Sequence, residues 1–354
     1  MTLFVVAGAG WFFIGGGFAK WRDGPSLADA CDGTVAVDQV RALLKTDDVT
    51  GKTKHTTLGR SSADESGPPV MCWLDGPRGF KQRAYVKMEW RSKAWGPNID
   101  AGRRDGAYTR LSAPITGGWS GMMTHAGDQA TAAVVLRCRN TTGPRVGDSL
   151  SLFATSWGGR PFKEAAQRVR LARFATQTAR AAAREYGCDA RFGSRVERIA
   201  PLEYGLEEYP DAPALARAGG TCAGVRAGWL ITRAQGTATA EAPVEDCLLL
   251  DDHGRIRFRL SAYYGTFADD QRLKTRSTKS LREYSDTSPL RTDFVYRAEA
   301  TCPGSPRQAV FVIDYRARSD SDDDKPQRRY ARAALEDFAE RSAARHGCTD
   351  TKLL

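Results

Sequence analysis

The chain has 354 residues, of which 41% are hydrophobic and 27% are charged, and a formal net charge of +10. This length is enough for two domains of ordinary size, and the composition excludes both a wholly disordered chain and a multi-span membrane protein. The positive charge favours anionic partners without distinguishing phospholipid, wall polymer and nucleic acid.

An apolar run from Leu3 to Ala19 precedes the first charged residue, Lys20. Its length is at the lower edge of a bilayer span and also suits the hydrophobic region of an export signal. We therefore predict one N-terminal hydrophobic helix within residues 1–22, acting as a signal anchor or a signal peptide. Lys20 and Arg22 follow the run, where the positive-inside rule places the cytoplasm, so the charges alone leave a cytosolic-facing protein as an alternative.

Eight cysteines divide equally between the two halves of the chain. None forms a CxxC pair, which argues against thioredoxin-like redox chemistry and zinc-ribbon sites. Structural disulfides in an oxidising, extracytoplasmic location are the favoured interpretation, and buried free thiols in the cytosol are the alternative. The predicted disulfide cysteines are Cys31, Cys72, Cys138, Cys188, Cys222, Cys247, Cys302 and Cys348.

The first half contains a hairpin signal, in which the Cys-bearing stretch VMCWLDG is followed by the alternating strand AYVKMEW. In that strand Ala84, Val86, Met88 and Trp90 share one face. The apolar strands AAVVLRCRN and SLSLFATSW follow, and then a helix from Pro161 to Tyr186. Gly187 suits the left-handed residue after a helix, so that Cys188 can turn back toward the sheet.

The second half has the same order of elements. EDCLLLDDHG and RIRFRLSAYY form a hairpin signal, YRAEATCPG and QAVFVIDY are strands, and a helix from about 327 to 346 ends at Gly347 and Cys348. Each half begins with a segment predicted to enter as a helix, CDGTVAVDQVRALL or CAGVRAGWLITRA. The chain is therefore predicted to be α+β, with two tandem repeats of an antiparallel sheet flanked by an entering and a leaving helix.

The predicted domains cover residues 27–190 and 215–350, with a linker over 191–214. Polar stretches over 45–69 and 272–289 are interpreted as exposed loops. Four cysteines allow three pairings in each half. A bridge from strand to final helix has nearly the same span in both halves, which favours Cys138 with Cys188 and Cys302 with Cys348. The remaining pairs are then Cys31 with Cys72 and Cys222 with Cys247.

The stretches ACDGTVAVDQVRALL and MCWLDG carry a resemblance to known proteins. They resemble actinobacterial, Streptomyces-type, exported or membrane-anchored proteins of unknown function, which have a Cys-paired α+β domain that is duplicated in this chain. The resemblance implies an envelope location and no particular activity.

Local motifs for chemistry are weak. His55, His125, His253 and His346 are the only histidines, and none has a partner at metal-ligand spacing. Ser120 lies in GGWSGMM, where Met122 replaces the last glycine of a nucleophile elbow. Aspartates in SDSDDDKP, residues 319–326, are interpreted as an acidic loop before a helix, since an EF-hand's glycine and glutamate are missing. No catalytic, cofactor-binding or metal-binding residue is predicted.

Basic and aromatic residues are interleaved between positions 78 and 104. This mixing is typical of surfaces that bind nucleic acid or an anionic polymer, although strand alternation also explains it as one solvated and one core face. The basic residues are Arg78, Lys81, Arg83, Lys87, Arg91, Lys93, Arg103 and Arg104, and the aromatic residues are Phe80, Tyr85, Trp90 and Trp95.

These observations predict a non-enzymatic extracytoplasmic envelope protein, either anchored in the cell membrane by a single N-terminal pass or secreted. Its domains are expected to bind a protein or an anionic wall component, with no cofactor and no nucleic acid, and the oligomeric state is left open. The alternative is an envelope hydrolase whose active site has no local motif. A pocket that combines Ser or Asp with a histidine would favour the hydrolase, and sheet faces without converging titratable groups would favour binding.

Overall fold

The computed structural model describes fifteen stretches of the chain. They are 27–55, 70–91, 104–105, 108–109, 111–126, 129–139, 149–157, 160–201, 208–238, 242–265, 267–268, 271–272, 293–303, 309–316 and 325–354. The predicted N-terminal hydrophobic helix and the acidic stretch 319–324 lie outside them. None of the helices within the described stretches is both long enough and apolar enough to span a bilayer.

The chain forms two compact units. The first comprises Met1–Ser92 and Ile115–Pro201, and the second comprises Lys93–Pro114 and Leu202–Leu354. The described strands of the earlier part of the chain are β1 Thr50–His55, β2 Val70–Asp75, β3 Arg83–Arg91, β4 Arg104–Asp105, β5 Tyr108–Thr109, β6 Ala113–Pro114, β7 Gly121–Ala126, β8 Gln129–Arg137 and β9 Ser149–Trp157. The first sheet has the order β1-β2-β3-β9-β8-β7-β6, and β4 pairs only with β5.

The later part of the chain forms a second sheet. Its strands are β10 Arg233–Gly236, β11 Val244–Leu250, β12 Ile256–Tyr263, β13 Asp293–Thr301, β14 Ala309–Arg316 and β15 Thr349–Leu353. Their order is β10-β11-β12-β14-β13-β15. The long neighbouring strands are antiparallel in both sheets.

Five consecutive positions of the two sheets correspond. Strands β1, β2, β3, β9 and β8 of the first sheet have the same order and direction as β10, β11, β12, β14 and β13 of the second. The cysteines lie at matching registers, since Cys72 is opposite Val86 and Cys247 is opposite Leu260. The predicted α+β class with two antiparallel sheets is confirmed, and the arrangement is consistent with two repeats.

Three helices are described: α1 Val37–Leu44, α2 Ala165–Glu185 and α3 Lys325–Arg345. The two long helices, α2 and α3, are rich in Ala and Arg, which gives them high intrinsic helix propensity. Gly187 and Gly347 follow the two long helices with φ of 67° and 65°. As expected for such a C-terminus, the N–H of Cys188 donates to the carbonyl of Ala183 at 2.7 Å.

The predicted entering helix of the second half is wrong. After Cys222 the chain forms turns and not a helix, and Gly224 and Gly228 have φ of 76° and 153°. Trp229 and Leu230 also have positive φ. Two glycines within five residues lower helix propensity, and a Cβ at Gly224 would lie 2.3 Å from the guanidinium carbon of Arg341, so the segment packs as a close loop against α3.

Part of the predicted loop over 45–69 is regular structure. Thr50–His55 forms the exposed strand β1, which pairs with β2 at the edge of the described sheet. Residues 56–69 and 273–289 lie outside the described stretches.

The four disulfides expected from the cysteine spacing are present. Cys31 joins Cys72, Cys138 joins Cys188, Cys222 joins Cys247 and Cys302 joins Cys348, with Cα–Cα distances of 5.5, 4.9, 5.1 and 4.0 Å. In each unit one bridge fixes the opening segment to the sheet, and the other fixes the end of the long helix. Disulfides in this number indicate an oxidising environment.

Each sheet packs one face against helix. In the first unit Ala84, Val86, Met88 and Trp90 are buried, and the Trp90 ring lies 4.4 Å from that of Tyr186 after α2. In the second unit α3 contributes to a core with Cys247, Leu249, Phe258, Leu260 and Phe311. Residues 191–201 run beside α2, where Arg173 donates to the Val196 carbonyl and Arg168 to the Ile199 carbonyl.

The disulfide at the end of α3 should contribute strongly to stability. Replacing both Cys302 and Cys348 by serine should lower the free energy of unfolding by about 4 kcal/mol, because the bridge closes a long loop in the unfolded chain. Denaturant unfolding followed by circular dichroism measures the change. The Cys222→Ser/Cys247→Ser variant is the comparison, with an expected loss of about 3.5 kcal/mol for its shorter loop. Equal stability of the first variant and the native protein would contradict this account.

Candidate functional site: the aromatic face of the first sheet

The first sheet presents a row of aligned side chains on the side away from α1 and α2. Lys52, Trp73, Tyr85, Thr155 and Thr131 lie directly opposite one another on five adjacent strands. Directly opposed residues of antiparallel strands point to the same side. Because side chains alternate along a strand, this row lies on the opposite side from the buried Cys72 and Val86.

Two further rows flank the first. One contains Lys54, Met71, Lys87 and Phe153, and the other contains Asp75, Arg83 and Trp157. The turn between β2 and β3, a 3₁₀ segment over Gly79–Gln82, adds Phe80 at one end. We call this surface the aromatic face. Its members are Lys52, Lys54, Trp73, Arg78, Phe80, Lys81, Arg83, Tyr85, Lys87 and Trp157.

Four aromatic side chains on this side of the sheet form two pairs. The rings of Trp73 and Tyr85 are 5.4 Å apart, and those of Phe80 and Trp157 are 5.7 Å apart. Phe80 is 55% exposed, while Trp73, Tyr85 and Trp157 are half-buried. The arrangement therefore offers ring surface to solvent on two adjacent positions of the sheet.

Two cations of the face are neutralised within the unit. Arg83 makes a bidentate contact with Asp75, at 2.5 and 3.3 Å, and its guanidinium also lies 5.6 Å from the centre of the Phe80 ring. Lys87 pairs with Glu89. Burial, together with the charge of Glu89, raises the pKa of Tyr85 to about 12, so its phenol is harder to ionise than that of an ordinary tyrosine.

Four other cations have no acidic partner among the described residues. Lys52 and Lys54 are exposed on the edge strand β1, and Arg78 and Lys81 are exposed in the turn beside Phe80. They therefore flank the two ring pairs on two sides, so the face combines apolar ring surface with positive charge that no described acidic side chain neutralises.

The corresponding face of the second sheet is covered by its own unit. Leu248, which follows Cys247 as Trp73 follows Cys72, is fully buried and packs with Leu111, Tyr209 and Ala212. Arg259 takes the position of Tyr85 and is 4% exposed, with its guanidinium 3.3 Å from the carboxylate of Asp246. Arg259 is thus a buried cation paired with a buried carboxylate. The open aromatic face is thus specific to the first unit.

A second cluster of polar residues lies beneath the end of α3. Glu245 on β11 is 1% exposed and accepts hydrogen bonds from Ser342 at 2.7 Å and Arg345 at 2.6 Å. The Nε2 of His346 lies 2.8 Å from its other oxygen. The His346 ring stacks on Tyr264 at 3.6 Å, and the Tyr264 hydroxyl lies 2.5 Å from that of Ser342.

These contacts keep Glu245 charged. Burial opposes the charge, but hydrogen bonds from His346, Arg345 and Ser342 outweigh it, so the pKa of Glu245 lies below its ordinary value. The Ser342 hydroxyl is fully buried and contacts Glu245 and Tyr264, so it is not paired with a histidine base as a nucleophile would be. The cluster is a buried structural network.

The first unit fills the equivalent space with less polar groups. Counting from the matched cysteines, Val70 corresponds to Glu245, Ala182 to Ser342 and Tyr186 to His346. Trp90 corresponds to Tyr264, and its contact with Tyr186 takes the place of the Tyr264–His346 stack. The two units therefore share a frame but differ in the polarity of this layer.

The remaining histidines do not converge on one site. His55 lies 3.1 Å from Asp32 on the surface, His125 is buried 6.1 Å from the Phe162 ring, and His253 is exposed beside Asp252. Ser120 is exposed in a turn before β7. The described residues contain no group of three or more His, Cys, Asp or Glu side chains arranged to hold a metal ion.

An open depression in the second unit is lined by Asp211, Arg217, Arg233 and Asp252. Arg233 donates to the carbonyls of Pro210 and Ala212, at 3.2 and 2.8 Å, so its guanidinium stabilises the local backbone.

Only part of the aromatic face was identified from sequence. Phe80, Tyr85, Arg78, Lys81, Arg83 and Lys87 were in the interleaved set, but Trp90 of that set faces the helices. Trp73, Trp157 and the β1 lysines were missed. The signal for Trp73 was its place between Cys72 and Leu74, since a residue between two core positions of a strand points outward. The side chains of Arg91, Lys93, Trp95, Arg103 and Arg104 lie outside the described set.

No family model, curated protein or solved structure matches this chain. Function therefore has to be argued from the geometry of the chain itself.

Removing the charge of Glu245 should destabilise the second unit. The Glu245→Gln variant leaves Arg345 and His346 beside an uncharged amide, and we expect the free energy of unfolding near neutral pH to fall by about 3 kcal/mol. Because the folded-state pKa of Glu245 is depressed, its contribution is present above the unfolded pKa and is lost as pH falls through the folded pKa. The difference between variant and native protein should therefore shrink in acid.

Urea unfolding at a series of pH values, from about 7 to about 3, checks both statements. Glu208→Gln is the matched control, since Glu208 pairs with Arg255 on the surface, where both side chains are about half exposed. That substitution should cost less than about 1 kcal/mol. Equal losses in the two variants would show that the buried network is not specially important.

Proposed function

We propose that the protein is a non-enzymatic, extracytoplasmic binding protein of the cell envelope whose aromatic face binds an anionic wall component. The observation that carries this proposal is the contrast between the two sheets. The same face is covered by Leu111, Tyr209 and Ala212 in the second unit. In the first unit it is aromatic and partly exposed, and it is flanked by cations that have no acidic partner among the described residues.

An exposed apolar surface bordered by polar residues is typical of an interaction site. The rings of Trp73 and Phe80 offer contact area to a ligand, and Lys52, Lys54, Arg78 and Lys81 attract negative charge. Charge complementarity therefore favours an anionic partner over a neutral one.

The side chains of this face are suited to binding more than to catalysis. Its cations are lysines and arginines, and the raised pKa of Tyr85 makes that phenol harder to ionise, as a base or nucleophile would need to be, than an ordinary tyrosine. A hydrolase needs a nucleophile or an activated water beside a general base. The described part of the aromatic face contains no histidine or carboxylate free to act as that base, since Asp75 and Glu89 are ion-paired.

The envelope location rests on separate observations. The disulfides indicate an oxidising compartment, and the apolar run Leu3–Ala19 suits export. The resemblance to actinobacterial exported proteins agrees with this. The N-terminal segment then either anchors the protein in the membrane by a single pass or is removed on secretion.

Charge removal at the edge strand should weaken polyanion binding. The Lys52→Gln/Lys54→Gln variant should bind immobilised dextran sulfate about three- to tenfold more weakly at low salt, because two exposed charge contacts are lost. Its affinity should also depend less steeply on salt concentration. Surface plasmon resonance at several salt concentrations measures both quantities.

Arg195→Gln/Arg198→Gln is the matched control. It removes the same charge from the same unit, but these exposed arginines lie on the stretch that runs beside α2. Its affinity should stay close to that of the native protein. A similar loss in both variants would mean that net charge alone governs binding, and no binding by the native protein would refute the proposal.

The location is tested by intact mass of the protein from its native host. Eight thiols should become alkylated only after reduction, because all eight cysteines are paired. The same mass distinguishes an anchored protein, which retains residues 1–22, from a secreted one, which has lost them. Eight alkylated thiols without reduction would contradict an extracytoplasmic location.

A further inference from the structure

We propose that the ligand of the aromatic face is an acidic polysaccharide, whose sugar rings stack on the two ring pairs while its anionic groups contact the flanking cations. This inference rests on the proposed function and narrows it from an anionic component to a polymer in which a flat ring and a negative charge recur together.

The two ring pairs are the apolar part of this site. Trp73 with Tyr85 and Phe80 with Trp157 present partly exposed aromatic surface to solvent. A sugar ring has a flat face of C–H groups that covers such a surface and removes it from water, which is favourable. A flexible anionic chain without rings would leave most of that aromatic surface exposed to solvent.

The strand register sets the distances between the side chains of the aromatic face. Lys52 is directly opposite Trp73, so their Cβ atoms are about 5 Å apart, and Lys54 follows about 7 Å along the strand. Trp157 lies opposite Arg83, two residues before Tyr85 on the same face, so the two ring pairs are offset by about 7 Å. Offsets of this size are of the order of one monosaccharide, so neighbouring sugars of one chain can occupy neighbouring pairs.

The positions of the cations on the aromatic face indicate where the charges of a bound ligand lie. The two cations on the central strand β3, Arg83 and Lys87, are already paired with Asp75 and Glu89. The cations with no acidic partner among the described residues are at the margins, Lys52 and Lys54 on β1 and Arg78 and Lys81 in the turn. A ligand with apolar rings in the centre and charges projecting to both sides matches this pattern.

Single-stranded nucleic acid also combines rings with anions and stacks on aromatic side chains. The disulfides favour the polysaccharide, because they indicate an oxidising compartment where nucleic acid is not the usual partner. Nucleic acid is therefore included in the test as a competing outcome.

The test uses probes that separate ring from charge. Polygalacturonate carries both, its fully methyl-esterified form keeps the rings without the charge, and poly-L-glutamate keeps carboxylates without the rings. An oligothymidylate completes the set. The full-length protein, solubilised in detergent if its N-terminal segment is retained, is titrated with each by isothermal titration calorimetry at one low ionic strength.

We expect polygalacturonate to bind at least about tenfold more tightly than the other three polymers. Trp73→Ala should weaken polygalacturonate binding about tenfold and leave the weak binding of poly-L-glutamate unchanged. Phe80→Ala, at a position that is 55% exposed, gives a second ring deletion in case the first disturbs the fold, which circular dichroism checks. Lys52→Gln/Lys54→Gln should weaken the binding of both polygalacturonate and poly-L-glutamate.

Other outcomes overturn the inference in distinguishable ways. Equal affinity for polygalacturonate and poly-L-glutamate, with no effect of either ring deletion, would refute ring recognition and leave the proposed binding of an anionic component standing. Tighter binding of oligothymidylate would replace the polysaccharide by nucleic acid. Failure to bind any of the charged polymers would refute the proposed function itself.

Discussion

Each sheet of this protein has two faces, and its long helix covers only one of them. In both units the strand that carries the cysteine turns it toward the helical side, and the disulfides fix the opening segment and the helix end. Because side chains alternate along a strand, Trp73 and Leu248, each next to such a cysteine, point to the other side. The two units differ mainly in whether that second face is covered.

The second unit covers this face with its own residues, and the first unit leaves it partly exposed. Leu248 packs with Leu111 and Tyr209, whereas the equivalent Trp73 is in contact with Tyr85 near the solvent. Partly exposed rings, flanked by cations that have no acidic partner in the described part of the chain, have an energetic cost in the free protein, which a ligand that covers them would offset. A surface that folding alone does not require is the best place to look for function.

The two units also differ in the side chains that fill the interior of their shared fold. Glu245 and His346 form a buried charged network where the first unit has Val70 and Tyr186. The network is satisfied by Ser342 and Arg345, so it avoids the penalty of an unpaired buried carboxylate. The second unit's stability is therefore expected to depend on pH in a way that this layer of the first unit cannot reproduce.

The sequence by itself determined the strands, the long helices, their glycine ends and the cysteine pairing, because these depend on alternation, helical periodicity and the spacing of repeated elements. It failed at the segment after Cys222, where glycines and close packing against α3 override a helical pattern, and at β1, which becomes a strand only by pairing with β2. Only the tertiary structure decided that Lys52 stands opposite Trp73, that Phe80 meets Trp157, and that Glu245 meets His346. These contacts join residues far apart in the chain, and strand register and helix packing, which bring them together, leave no local pattern in the sequence.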